Sequence, residues 1–150
     1  MLRTHAILLP FAPVPAGDPL LDAVGPLAGA RVLVIGQDAL ETMCALIRRG
    51  CAAATEMRIG DRLAPEPESA DAVLVPYLSG AAEAGDAIAR ASRALAMGGR
   101  IALRDVSCEL RQTVATLLRM HGFSRMRVRV TRAGAVISAE RPIFGPLPRA

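Results

Sequence analysis

Lysine and tryptophan are absent from this 150-residue chain, and the aromatic side chains are one Tyr and three Phe. Sequence-tolerant nucleic-acid binders stack bases on aromatic faces, and four aromatics leave little for such a platform. The core must instead be aliphatic, and a 52% hydrophobic composition supplies it in Leu, Val, Ile and Ala. Cysteine is also scarce. Cys44, Cys51 and Cys108 are odd in number and show no CxxC spacing, which argues against a disulfide framework or a zinc site. They read as reduced, small core residues of a cytoplasmic protein. No long apolar run occurs. Pro10, Pro13 and Pro15 break the apolar start at Ala6–Leu9. That start is too short to span a bilayer and is not read as a secretory leader. Neither a metal nor a membrane is expected as a partner.

What is present is arginine. All 18 basic residues are Arg, and the net charge of +4 is unevenly spread. Residues 1–75 hold 6 Arg against 9 acids, whereas residues 76–150 hold 12 Arg against 5 acids. Such a split suits either an anionic partner or the ordinary charged exterior of a domain. The length fits one domain with one substantial core.

Residues 1–18 are rich in proline and read as an extended arm, residues 19–142 as the folded domain, and 143–150 as a tail. Pro19 to Leu27 forms a short helix presenting Leu20, Leu21 and Val24. Residues 31–35 are a buried strand, followed by a helix from Ala39 to Arg49 with Leu40, Met43, Cys44 and Ile47 as its apolar stripe. Gly50 closes that helix. Cys51 to Met57 is the second strand, and the Pro65-Glu66-Pro67-Glu68 loop fits neither helix nor inner strand. Ala72–Val75 is a third strand. Gly80 to Met97 is a helix closed by Gly98-Gly99, Arg100–Arg104 a strand, and Cys108 to Met120 a helix ended by His121-Gly122. From Arg125 to Thr131, arginine or threonine alternates with Met126, Val128 and Val130, a strand with one wet face. The Ala133-Gly134 turn returns it as an antiparallel partner over Ala135–Ala139. The expected fold is α/β: a doubly wound, Rossmann-like sheet of about six mostly parallel strands ending in an antiparallel hairpin.

Arg31-Val32-Leu33-Val34-Ile35-Gly36 is a strand entering a glycine turn. A nucleoside-binding turn would continue with more glycine, so that backbone can approach the ligand. Here Gln37-Asp38-Ala39-Leu40-Glu41 follows. Three segments together resemble the class I S-adenosylmethionine (SAM)-dependent methyltransferases. They are Leu27 to Gly36, then Ala70–Val75 with Ala91–Leu103, and Leu117–Phe123 before the hairpin. The resemblance implies SAM as cofactor, with Gly36, Gln37, Asp38 and Glu56 in its site. The departures from the pattern are specific. Val34 stands where the family carries an acid, Asp38 and Leu40 where it carries glycines, and Met97 where it carries proline. Asp38 adds a Cβ where backbone should touch ligand, and Leu40 adds bulk near the adenosine path. The stretch from Gly36 to Asp71 is too short for the family's third strand and the helix before it.

Each candidate residue has a plainer role beside the functional one. Asp38 with Glu41 reads as a capping box, which would occupy the amides an anion needs. Glu56 lies at the expected offset for a ribose ligand, or is an exposed acid paired with Arg58. Pro76-Tyr77 keeps the end of the tetrapeptide by which amino-group methylators of the family hold their target, and Tyr77 otherwise reads as half-buried packing. Arg104-Asp105 is an ion pair, a cap or a substrate contact. With no His near these positions, Tyr77 and Asp105 are the catalytic candidates. Arg125, Arg127 and Arg129 share a strand face and either bind an anionic partner or protect an edge. The leading expectation is a degenerate methyltransferase-like domain with lost or weakened SAM binding, acting as a binding or assembly module for a protein or small molecule. One alternative is an active small-molecule methyltransferase with a divergent glycine loop. Another is nucleic-acid or acidic-partner binding through the arginine strand. A homodimer is compatible with all three.

Overall fold

The computed structural model describes residues 17–37, 39–132 and 134–143. The proline-rich segment 1–16 with His5, Asp38, Ala133 and the tail from 144 onward lie outside the described residues. Ten elements follow one another: α1 (Pro19–Ala23), β1 (Arg31–Ile35), α2 (Leu40–Arg48), β2 (Ala53–Met57), β3 (Ala70–Val75), α3 (Ala81–Ala94), β4 (Leu95–Leu103), α4 (Cys108–Met120), β5 (Ser124–Thr131) and β6 (Gly134–Glu140). The strands form one sheet in the order β2-β1-β3-β4-β6-β5. β2, β1, β3 and β4 pair in parallel, and β6 runs antiparallel to both β4 and β5. This is the expected α/β sheet with its antiparallel hairpin.

The strands alternate between two cores. Leu33, Ile35, Val73, Val75, Ile101, Leu103 and Ile137 face α3 and α4 and pack on Ala87, Ile88, Ala91, Val114 and Leu118. Val32, Val34, Ala72, Leu74, Ala102 and Val136 face α1 and α2, covered by Leu20, Leu21, Leu27, Ala39 and Leu46. Strands buried on both faces explain the near-continuous apolar runs at 31–35 and 70–75. Among the described residues, no helix is long and apolar enough to cross a membrane.

Four local expectations are corrected. α2 buries Thr42 and Leu46, while Leu40 is 76% and Ile47 69% exposed. Ala39, Thr42 and Leu46 are the side chains turned to the sheet, and the larger pair faces outward. α3 stops at Ala94; Leu95 is already extended and pairs with Ala70, and the chain bulges before Arg100 rejoins opposite Ala72. Gly98 takes φ +79° in that bulge, and a Cβ on Gly99 would lie 2.8 Å from the Ala96 carbonyl oxygen. Val128 and Val130 are 52% and 69% exposed, so both faces of the outer half of β5 are wet. Finally, none of the cysteines is a buried core residue. Cys44 and Cys51 are intermediate, and Cys108, the first residue of α4, is exposed.

Candidate functional site

The chain passes from β1 outward to β2 and returns to β3 on the other side of β1. That reversal makes the C-terminal ends of β1 and β3 the switch point at which open α/β sheets bind ligands. Gly36 and Gln37 leave β1 there, and Pro76 and Tyr77 leave β3. Gly36 is buried, with φ +143°, a value that favours glycine, and its N–H donates to the Met57 carbonyl at 2.9 Å. A Cβ at Gly36 would lie 3.8 Å from Pro76 Cδ, so the Pro76 ring packs directly beside the turn.

At the end of β4, Arg104 completes the rim. Its N–H donates to the Val75 carbonyl at 3.0 Å, and its Nε to the Pro76 carbonyl at 3.4 Å. One terminal nitrogen of its guanidinium reaches both carboxylate oxygens of Asp18, at 3.1 and 3.2 Å. Asp18 also accepts from the Leu20 N–H at 2.9 Å as the N-cap of α1. Arg104 therefore pairs chiefly with Asp18, while Asp105 stands 3.9 Å away. Asp18 was not singled out from the sequence, although Asp before Pro at the first helical position is an N-cap signature. Asp105 takes φ +57°, a left-handed conformation uncommon outside glycine. Gly134 lies against it: a Cβ there would sit 3.1 Å from the Val106 carbonyl oxygen and 3.3 Å from the Asp105 carbonyl carbon.

The other sequence candidates are placed differently. Leu40 is the first residue of α2 and is exposed rather than part of the helix's buried stripe. Ala39, which precedes α2 with helical dihedrals, makes no side-chain cap bond. Asp38 itself lies outside the described residues. Glu56 pairs with Val34 one residue before the end of β2, so by strand alternation it shares the α2 side of the sheet with Ala54. It is exposed, and no ion pair with Arg58 forms. Tyr77 is 58% exposed rather than half-buried. Gly36, Gln37, Tyr77, Arg104 and Asp105 thus sit on three neighbouring strand ends, with Glu56 just below them on the sheet edge.

Shallow, open clefts occur elsewhere on the surface. One of about 290 Å³ lies under the 60–70 loop, between Thr55, Glu56, Pro65 and Ser69. Two others flank α1 and the hairpin: about 150 Å³ between Arg100, Arg125, Arg127 and Glu140, and about 290 Å³ between Asp22, Arg127, Arg129 and Ser138. At the opposite end of the parallel strands, Arg31 clamps Asp71. The backbone N–H and Nε of Arg31 reach Oδ2 at 2.9 and 3.2 Å, and a terminal nitrogen reaches Oδ1 at 3.0 Å. These bonds hold the Asp71 carboxyl below its ordinary pKa, the side-chain bond contributing most, and raise that of Arg31. The clamp staples β1 to β3 far from the switch point and has no local signature in the sequence.

No family model and no curated protein matches the sequence. Solved structures do match. A SAM-dependent O-methyltransferase from Thermotoga maritima superposes with a TM-score of 0.63 and 14% identity, over 82% of this chain and 63% of its own. This chain therefore spans less than two thirds of that protein. An S-adenosylmethionine-dependent methyltransferase from Mesorhizobium loti gives 0.61 and 12%, over 81% and 95% of the two chains. Precorrin-6y C5,15-methyltransferase from Geobacter metallireducens gives 0.62 and 13%, over 80% and 84%. At such identities the likeness is one of architecture: the chain has the class I SAM-dependent methyltransferase fold.

Proposed function

We propose that this chain is a degenerate methyltransferase-fold domain, with SAM binding weakened or lost, that serves as a binding or assembly module in the cytoplasm. One observation carries the reading. At the switch-point rim Arg104 is held by Asp18 and the Pro76 carbonyl, while the Pro76 ring packs beside Gly36. Val34, where the family carries an acid, is wholly buried in the core and offers a ligand nothing. On this reading the residues around Gly36 do not suit SAM. Pro76 and the Asp18–Arg104 pair close the rim beside Gly36.

A specific observation favours the runner-up, an active small-molecule methyltransferase: Tyr77 stands exposed at the end of β3, and Glu56, without an ion pair among the described residues, lies on β2 on the far side of β1. Calorimetric titration with SAM and with S-adenosylhomocysteine separates the two. The module reading expects dissociation constants weaker than about 1 mM, on the order of 4 kcal/mol of binding free energy or less. Micromolar binding that disappears in Glu56→Ala would replace it with the enzyme.

A further inference from the structure

The outer edge of β5 carries an unused pairing surface with a defined chemical pattern. Among the described residues, β5 is the last strand of the sheet and only β6 pairs with it. Ala135 of β6 exchanges both its backbone bonds with Val106, N–H to O at 3.2 Å and O to N–H at 3.0 Å, and so turns its N–H and C=O away from β5. Val130, opposite Ala135, must then turn its own N–H and C=O outward, and by antiparallel alternation so must Val128. The free edge therefore presents two donors and two acceptors in strand register. Arg127 and Arg129 project on one face beside Ser138 and Val136, and the exposed Val128 and Val130 on the other. Neither arginine has an acidic partner among the described residues. Arg127 lines both clefts beside α1, of about 150 and 290 Å³, and Arg129 lines the larger one.

We propose that this edge binds an extended peptide, added as a seventh strand, in which acidic and apolar residues alternate. Its backbone would pair with Val128 and Val130, its acids would face Arg127 and Arg129, and its apolar side chains would cover the two valines. Charge selects this occupant over a second copy of the chain, because antiparallel self-pairing would set arginine against arginine. Residues 1–16 and 144–150 contain no Asp or Glu, so neither of these segments supplies the acids. A phosphate backbone would use the arginines but leave the valine row and the outward amides unanswered. The bulge at Arg125, with φ +51°, confines the regular edge to residues 127–131. The proposal stands whether or not the switch-point end binds SAM.

Fluorescence anisotropy of the full chain with a labelled heptapeptide of alternating Glu and Val tests it. The expected result is saturable binding that weakens at least about tenfold when Arg127→Glu and Arg129→Glu are combined, with an unchanged far-ultraviolet spectrum. The same peptide with alternate backbone amides methylated, so that it cannot pair, should lose binding to the unaltered protein; this arm does not depend on a variant folding. Equal affinity for four glutamates followed by three valines would overturn the proposal. So would tighter binding of a seven-nucleotide oligothymidylate, or no peptide binding at all up to about 1 mM.

Discussion

Asp18 performs two tasks whose separate worth can be measured. Its carboxylate caps α1 through the Leu20 N–H and grips Arg104 across the rim, with both side chains a little over a quarter exposed. Removing an N-cap costs about 1 kcal/mol. An ion pair so placed, contacting both carboxylate oxygens and partly shielded, contributes about 1 kcal/mol, the upper end of the range for exposed pairs. Asp18→Ala should therefore destabilise the domain by about 2 kcal/mol, or about 4–8 °C in Tm for a chain of this size. Asp18→Asn keeps an oxygen for the cap and drops the charge, so about 1 kcal/mol is expected; Arg104→Met, which keeps most of the stem, should cost the same. Combining Asp18→Asn with Arg104→Met should cost little more than either alone, giving a coupling of about 1 kcal/mol. Urea unfolding followed by circular dichroism reads all four values at constant m. Additive single effects, or an Asp18→Ala no worse than Asp18→Asn, would refute the two-task account and remove the main support for a closed rim.

Other substitutions test the remaining structural arguments. Leu46→Ala should cost about 2–5 kcal/mol whereas Ile47→Ala stays within about 0.5, and a reversed order in urea midpoints would show that α2 is rotated as the sequence pattern alone expects. Gly134→Ala combines a strained φ with a 3.1 Å approach to the Val106 carbonyl, so a loss of about 1–3 kcal/mol in thermal unfolding is expected; a neutral result would mean the hairpin turn relaxes freely. The lowered pKa of Asp71 makes its clamp on Arg31 fully stabilising above the unfolded carboxyl value of about 3.9, and the contribution is lost as pH falls through the lower folded value. The stability gap between the native chain and Asp71→Asn should hold steady from about pH 7 to 5 and narrow below about pH 4; a gap that does not narrow contradicts the linkage.

The order of elements was legible because each is written in nearby residues. Runs of Val, Leu and Ile at 31–35 and 72–75 mark doubly buried strands, Gly50 and Gly122 end helices with positive φ, and the alternation at 125–131 declares a strand. The resemblance carried by those segments led to the fold that the solved structures share. The rim was only partly legible. Gly36, Gln37, Tyr77 and Asp105 do come to neighbouring strand ends. The partner of Arg104, however, is 86 residues away at Asp18, beyond the reach of any local pattern.

Sequence by itself determined what depends on period and turn chemistry: which segments are strands or helices, that the core is aliphatic, and that a glycine turn lies at the end of β1. Tertiary structure decided what depends on how finished elements meet. It turned Leu40 and Ile47 to solvent and buried Ala39, Thr42 and Leu46 instead. It brought Asp18 to Arg104, and it left β5 at the edge with its valines uncovered. A residue's period places it on a face of its own element, but which faces find a neighbour is settled only when distant segments compete to bury apolar surface.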